Sequence, residues 1–338
     1  MRRGIAFTPM EIRRDVIVRT ATLADELGYE LVSVAEGWGL DSTVLLAELA
    51  TATHRIRLAA GVLSVWARSP ATIAMSAATL HQLSGGRFVL GLGASTSQLV
   101  AGWHDIGYDW PAARLRDVTT RVRALLNGER AALSARAALS AGAAARALRL
   151  GLPAVPDLPI WLAASGERTI RVAADLADGW YPIYLRRDRV REVAAGMARQ
   201  RATRPITVAA GPFTVVDPDV TAARAAAAAC TATYLAAMGD IYPRLVAAQG
   251  LATEVDLVRS TRTVPVAAEV LLDEFTAYGT AAMVQEQLDR WDETADITMV
   301  GLPPGLPWPR IEATVRAAAP RPPRAAAGHP VRRGTIPT

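Results

Sequence analysis

Short apolar runs of strand type recur along this chain with helical stretches between them. That alternation restricts the fold more than any other feature. The runs are residues 4–7, 31–35, 56–63, 88–92, 159–163, 179–183, 206–216 and 297–300. After the first, Val16, Leu23 and Leu27 fall at helical spacing, and Gly28 stands where a helix C-cap belongs. Asp41 or Ser42 is placed to cap a helix through Thr53, and Ser69-Pro70 starts another with proline at its tolerated first position. Further helices are expected at 167–177, 190–199, 220–237 and 281–291. Parallel strands need such crossovers, because a tight turn joins only antiparallel neighbours. Eight strands in one 338-residue chain favour a single (β/α)8 TIM barrel across residues 1–318. An open doubly wound sheet is the alternative.

Two segments break the rhythm. Residues 128–152 are nearly all Ala, Arg, Leu and Ser, and 238–274 form a second insertion. Residues 319–338, rich in Pro and Arg, are expected to be a disordered tail. The hydrophobic share of 51% supplies a sizeable core, yet no apolar run reaches the roughly 18 residues of a membrane span. Met1-Arg2-Arg3 leads into no apolar stretch of signal-peptide type, so a cytoplasmic protein is expected. The single Cys230 excludes an internal disulfide. A net charge of +5 invites a nucleic-acid reading, but the arginines are scattered and no recognition motif accompanies them. No metal site is expected either, since His54, His81, His104 and His329 lack ligand spacing.

Hydrolase and kinase templates are absent, which suits an enzyme that borrows its chemistry from a cofactor. In a barrel, groups just after each strand face the catalytic rim. Glu36 follows the second strand and offers a carboxylate there; a salt-bridged or helix-capping role is its alternative. Gly37 and Gly39 flank Trp38, leaving the indole available to stack on substrate. Gly91 and Gly93 end the fourth strand, where a second backbone or a flat ligand can approach closely. Ala163-Ala164-Ser165-Gly166-Glu167 joins a strand to a helix start, so its backbone N–H groups suit an anion; a plain Ser-capped helix is the alternative. His104 lies beyond the fourth strand as a proton donor or an ordinary loop histidine.

The stretch Ser84 to Gly93 resembles the hallmark strand of the luciferase-like flavin and deazaflavin oxidoreductases. The branch most resembled uses the deazaflavin coenzyme F420, and the likeness runs from about Gly4 to about Val300. It implies a cofactor ring held at the strand ends by Gly61, Val62, Leu63, Ser64, Gly93, Ala94 and Ser95. A cis peptide is implied at Gly61-Val62, and cofactor phosphate at residues 163–167. Glu36 matches an acidic family position. Gly37 stands where alcohol-oxidising members carry histidine, and no matching acid stands near Thr96. A reductase of an activated C=C or C=N bond in a secondary metabolite or modified peptide is therefore expected. Glu36 or His104 would supply the proton. An FMN-dependent monooxygenase and an inactive ligand-binding barrel are the alternatives, and a homodimer is left open.

Overall fold

The computed structural model describes residues 1–132, 140, 146–201 and 204–321. The Ala-rich segment therefore lies partly outside the described residues, at 133–139 and 141–145, as does the tail at 322–338. The strands are β1 (Arg3–Phe7), β2 (Leu31–Val34), β3 (Arg57–Ala60), β4 (Leu63–Ser64), β5 (Phe88–Gly93), β6 (Ile160–Ala163), β7 (Gly179–Trp180), β8 (Thr207–Ala210), β9 (Phe213–Val216), β10 (Thr276–Gly279) and β11 (Ile297–Leu302). All pairings are parallel. They run β1-β2-β3-β5-β6-β7-β8-β11, and β11 returns to β1 with Ile5 opposite Val300, which closes the barrel. The open-sheet alternative has two free edges and is excluded by that pairing.

Two barrel strands are broken. The third is split into β3 and β4 by the Gly61–Val62 peptide, which is cis. The seventh is split into β8 and β9, and β9 takes β10 alongside it, outside the barrel. The barrel interior is filled by Leu31, Val89, Trp161, Ile297 and Met299. Arg3, only 1% exposed, donates to Asp292, Gln285 and the Ala318 carbonyl, so β1 is tied to the helix Ala281–Asp292 beside the closing seam.

The segment expected as an insertion at 238–274 has its own order. Helices Ile241–Val246, Ala252–Thr261 and Val270–Phe275 pack with helix Val220–Ala236 around Tyr184, Phe213, Tyr234 and Phe275. Small alanine side chains let these helices approach closely, and the aromatic rings fill what remains.

Asp25, at the end of helix Arg14–Glu26, accepts from the backbone N–H groups of His54, Arg55 and Ile56 at 2.8, 3.0 and 2.7 Å. Burial alone would raise its pKa, but these three donors outweigh that and hold it below the ordinary carboxylate value. A depressed folded pKa contributes stability above the unfolded pKa of about 3.9, and that contribution is lost as pH falls through the folded value. Asp25→Ala should therefore lose about 2 kcal/mol at neutral pH. Chemical denaturation at pH 7 and at pH 3 checks this: the penalty should shrink at the lower pH.

Candidate active site

The strand C-termini open into a cavity of about 940 Å³. Its floor includes Tyr181, whose hydroxyl donates to Ser33 Oγ at 3.1 Å across the barrel. Burial pushes the Tyr181 pKa up to about 12, so the phenol stays neutral.

Gly61 and Val62 line one wall, and packing explains why glycine stands here. A Cβ on Gly61 would lie 1.7 Å from Ser33 Oγ and 3.0 Å from the Tyr181 ring. The same logic explains the glycines of β5. A Cβ on Gly91 would meet the Ala60 carbonyl at 2.0 Å, and one on Gly93 would meet Val62 at 2.5 Å. Both glycines therefore admit the β3–β4 bulge. Gly93 also lines the cavity, with Ala94 and Ser95 beyond it.

Glu36 lines the cavity, but both its oxygens are committed. One accepts from the Ser64 N–H at 2.7 Å, and the other from Arg68 Nε at 3.0 Å. Arg68 is also paired with Asp41 at 2.7 Å. The salt-bridged alternative for Glu36 is thus the one found: it braces the bulge from across the rim. Ser64 Oγ accepts from the Trp66 N–H at 3.2 Å and faces the cavity with its own proton available.

Beside β5, at the end of β6, Ala163, Ser165, Gly166 and Glu167 line the cavity. Gly166 is the N-cap of helix Glu167–Leu176 and supplies no side-chain cap. A plain Ser-capped start is therefore not what forms. The helix-start N–H groups have no capping oxygen, and a Cβ on Gly166 would find its nearest neighbour at 3.9 Å. An open, uncapped helix start on a cavity fits an anionic group such as a cofactor phosphate.

Four expected residues are placed elsewhere. Leu63 and Ala164 point into packed protein, at 0% and 2% exposure. Trp38 is 43% exposed and does not line the cavity, because Gly39 seats its loop against Ile12. His104 lies past a short helix, Ser97–Gly102, which carries it away from the lining. In their place the cavity gains Tyr234, Met238, Tyr242 and Gln249 from the helices after β9. Gln249 joins this wall to the barrel: its Oε1 accepts from the Arg186 N–H at 2.8 Å and its Nε2 donates to the Tyr184 carbonyl at 2.9 Å. Tyr234 and Tyr242 flank Gly239 in an alanine-rich context, a local signal that alone does not reveal a wall. Among the described residues no metal-holding cluster occurs, and no helix is long and apolar enough to cross a membrane.

A sequence profile for luciferase-like monooxygenases matches residues 3–296. The chain belongs to that family. Within it, the chain falls in the coenzyme F420-dependent oxidoreductase branch. It is 32% identical over 306 residues to a Mycobacterium tuberculosis protein whose provisional name is coenzyme F420-dependent oxidoreductase, covering 82% of this chain and 87% of that one. It is 27% identical over 249 residues to 5,10-methylenetetrahydromethanopterin reductase of Methanolobus tindarius, covering 70% and 72%. Among solved structures, the coenzyme F420-dependent tetrahydromethanopterin reductase of Methanopyrus kandleri shares the fold. Its TM-score is 0.70 at 19% identity, with 94% of this chain and 97% of that one covered. As a luciferase-like oxidoreductase, the protein carries its cavity at the barrel end where this fold builds active sites.

Proposed function

We propose that this luciferase-like oxidoreductase binds coenzyme F420 in the rim cavity and acts as a reductase of an activated C=C or C=N bond. Gly61, Val62, Ser64, Gly93, Ala94 and Ser95 would hold the ring, and Ser165, Gly166 and Glu167 the phosphate. When bound, the coenzyme supplies hydride. The protein's part is to orient the reactants, exclude water and provide a proton.

The observation that carries the direction is the state of Glu36. Removing hydride from an alcohol requires a base for the hydroxyl proton. Glu36 is tied to Ser64 and Arg68, Gly37 has no side chain, His104 lies off the cavity, and the lining carboxylates Asp188 and Glu192 are paired with Arg186 and Arg189. Reduction asks only for a proton donor, and the neutral phenols Tyr234 and Tyr242 stand on the lining, while the Tyr181 hydroxyl donates to Ser33 Oγ. Glu36 and His104, the donors expected from sequence, are poorly placed for that role. The methanopterin relative is itself named a reductase, which supports the same direction.

The room in the cavity suits a sizeable substrate beside the ring, such as a secondary metabolite or a modified peptide. Its lining includes the apolar side chains of Leu99, Met238, Ile241 and Leu245, with Arg244 among them. The test is spectroscopic. Reduced coenzyme F420 mixed with protein and unsaturated substrates should recover the oxidised deazaflavin absorbance. Oxidised coenzyme mixed with alcohols or sugar phosphates should not bleach. Turnover only in the second mixture would reverse the assigned direction.

A further inference from the structure

Ser95 sits in the left-handed region, with φ of 57°, although it is not glycine. Such a conformation is unfavourable for a residue with a Cβ and persists only where its surroundings enforce it. The enforcing contacts are specific. The Gly93 carbonyl accepts from the Val65 N–H at 3.1 Å, the Ala94 carbonyl from the Trp66 indole at 2.9 Å, and the Ser95 carbonyl from the Tyr108 hydroxyl at 3.1 Å. Three consecutive carbonyls of the cavity rim are thus taken up by groups from outside β5. The Tyr108 and Trp66 rings lie 5.5 Å apart, and Arg114 donates to the Val65 carbonyl at 3.0 Å while covering the Trp66 face.

Tyr108 belongs to a loop, residues 103–110, that exposes Trp103 (61%) and Trp110 (77%) and holds Asp105 and Trp110 at positive φ. Tyr108 itself lines the cavity. One hydroxyl therefore connects an aromatic loop at the mouth to the rim segment Gly93–Ser95.

We infer that Tyr108 is a cofactor-positioning residue, coupling the order of the 103–110 loop to the shape of the Ala94–Ser95 rim through its bond to the Ser95 carbonyl. The inference rests on the cofactor assignment proposed above. Coupling of this kind is reciprocal: a ligand that rests on the rim must also steady the loop.

The test uses the full chain, coenzyme F420 and chymotrypsin, which cuts after Trp103 and Tyr108, while Pro111 shields the bond after Trp110. Coenzyme F420 should slow cleavage of the wild-type loop. Tyr108→Phe keeps the ring against Trp66 but loses the donor. It should weaken coenzyme binding about tenfold, with little change in Tm, and the protection should fall with it. Position 108 remains a chymotrypsin site in that variant, so the comparison is fair. Trp66→Phe should act in the same direction, and the two losses should be less than additive because both hold one segment. A Tyr108→Phe protein that binds coenzyme F420 as wild type does would overturn the inference and leave the cofactor assignment standing. A lower Tm with unchanged affinity would overturn it too, since the residue would then be structural only. If wild type itself fails to bind coenzyme F420, the cofactor assignment falls first and the inference falls with it.

Discussion

Gly61→Ala is expected to lower Tm by several degrees and weaken cofactor binding well over tenfold. The added methyl would lie 1.7 Å from Ser33 Oγ, on a strand residue with no exposed surface, and 3.0 Å from the Tyr181 ring. Overpacking of a fitted core costs about 1–3 kcal/mol, and one kcal/mol moves Tm by about 2–4 °C in larger domains. Relief must come either from turning Ser33 away, which strips Tyr181 of its acceptor, or from pushing the bulge into the cavity. Both alter the wall on which a cofactor would rest. Ser33→Ala in the same background should restore part of the lost stability, because it removes the struck atom. Thermal melts and coenzyme titrations of the single and double variants check this. A Gly61→Ala protein as stable and as competent in binding as wild type would show that the bulge yields freely.

The second large effect is expected at Gly166, for the opposite reason. Here there is space: the nearest atom to an added Cβ is 3.9 Å away, and the backbone, at φ of −90° and ψ of 150°, suits any residue. Gly166→Leu should fold normally and keep its Tm. Its side chain would stand in front of the uncapped N–H groups of the helix start. A hydrogen bond to a charged group is worth about 1.5–3 kcal/mol, so affinity for the coenzyme should fall about tenfold to a hundredfold. Unchanged affinity in a folded variant would remove this helix start from the site.

These two glycines show how much the sequence disclosed. The eight barrel strands were legible because most are runs of aliphatic residues bounded by turn signals and separated by helices. β10 was not, since Thr276–Gly279 is four residues long and directly follows a helix. The order in 238–274 was hidden for a related reason. Its helices are short, and the long helix beside them, Val220–Ala236, is mostly alanine and shows little amphipathic contrast. Glycine positions at the rim were visible, but their partners were not: Gly91 and Gly93 face the β3–β4 bulge, some 30 residues earlier in the chain. Glu36 lines the cavity, as its place after β2 suggests, yet its bond to Arg68 depends on a loop closure that no local pattern records. The positions of Trp38 and His104 followed from loop direction, which strand and helix periodicity leaves undetermined.

Whether this cavity holds coenzyme F420 is read from comparative affinity. Purified protein should be titrated separately with coenzyme F420 and with FMN, each in oxidised and reduced form, following ligand fluorescence or absorbance. Coenzyme F420 should bind saturably, about tenfold to a hundredfold more weakly in Gly166→Leu, and FMN should bind far more weakly. Tight binding of FMN with none of coenzyme F420 would contradict this and return the protein to the flavin monooxygenase reading.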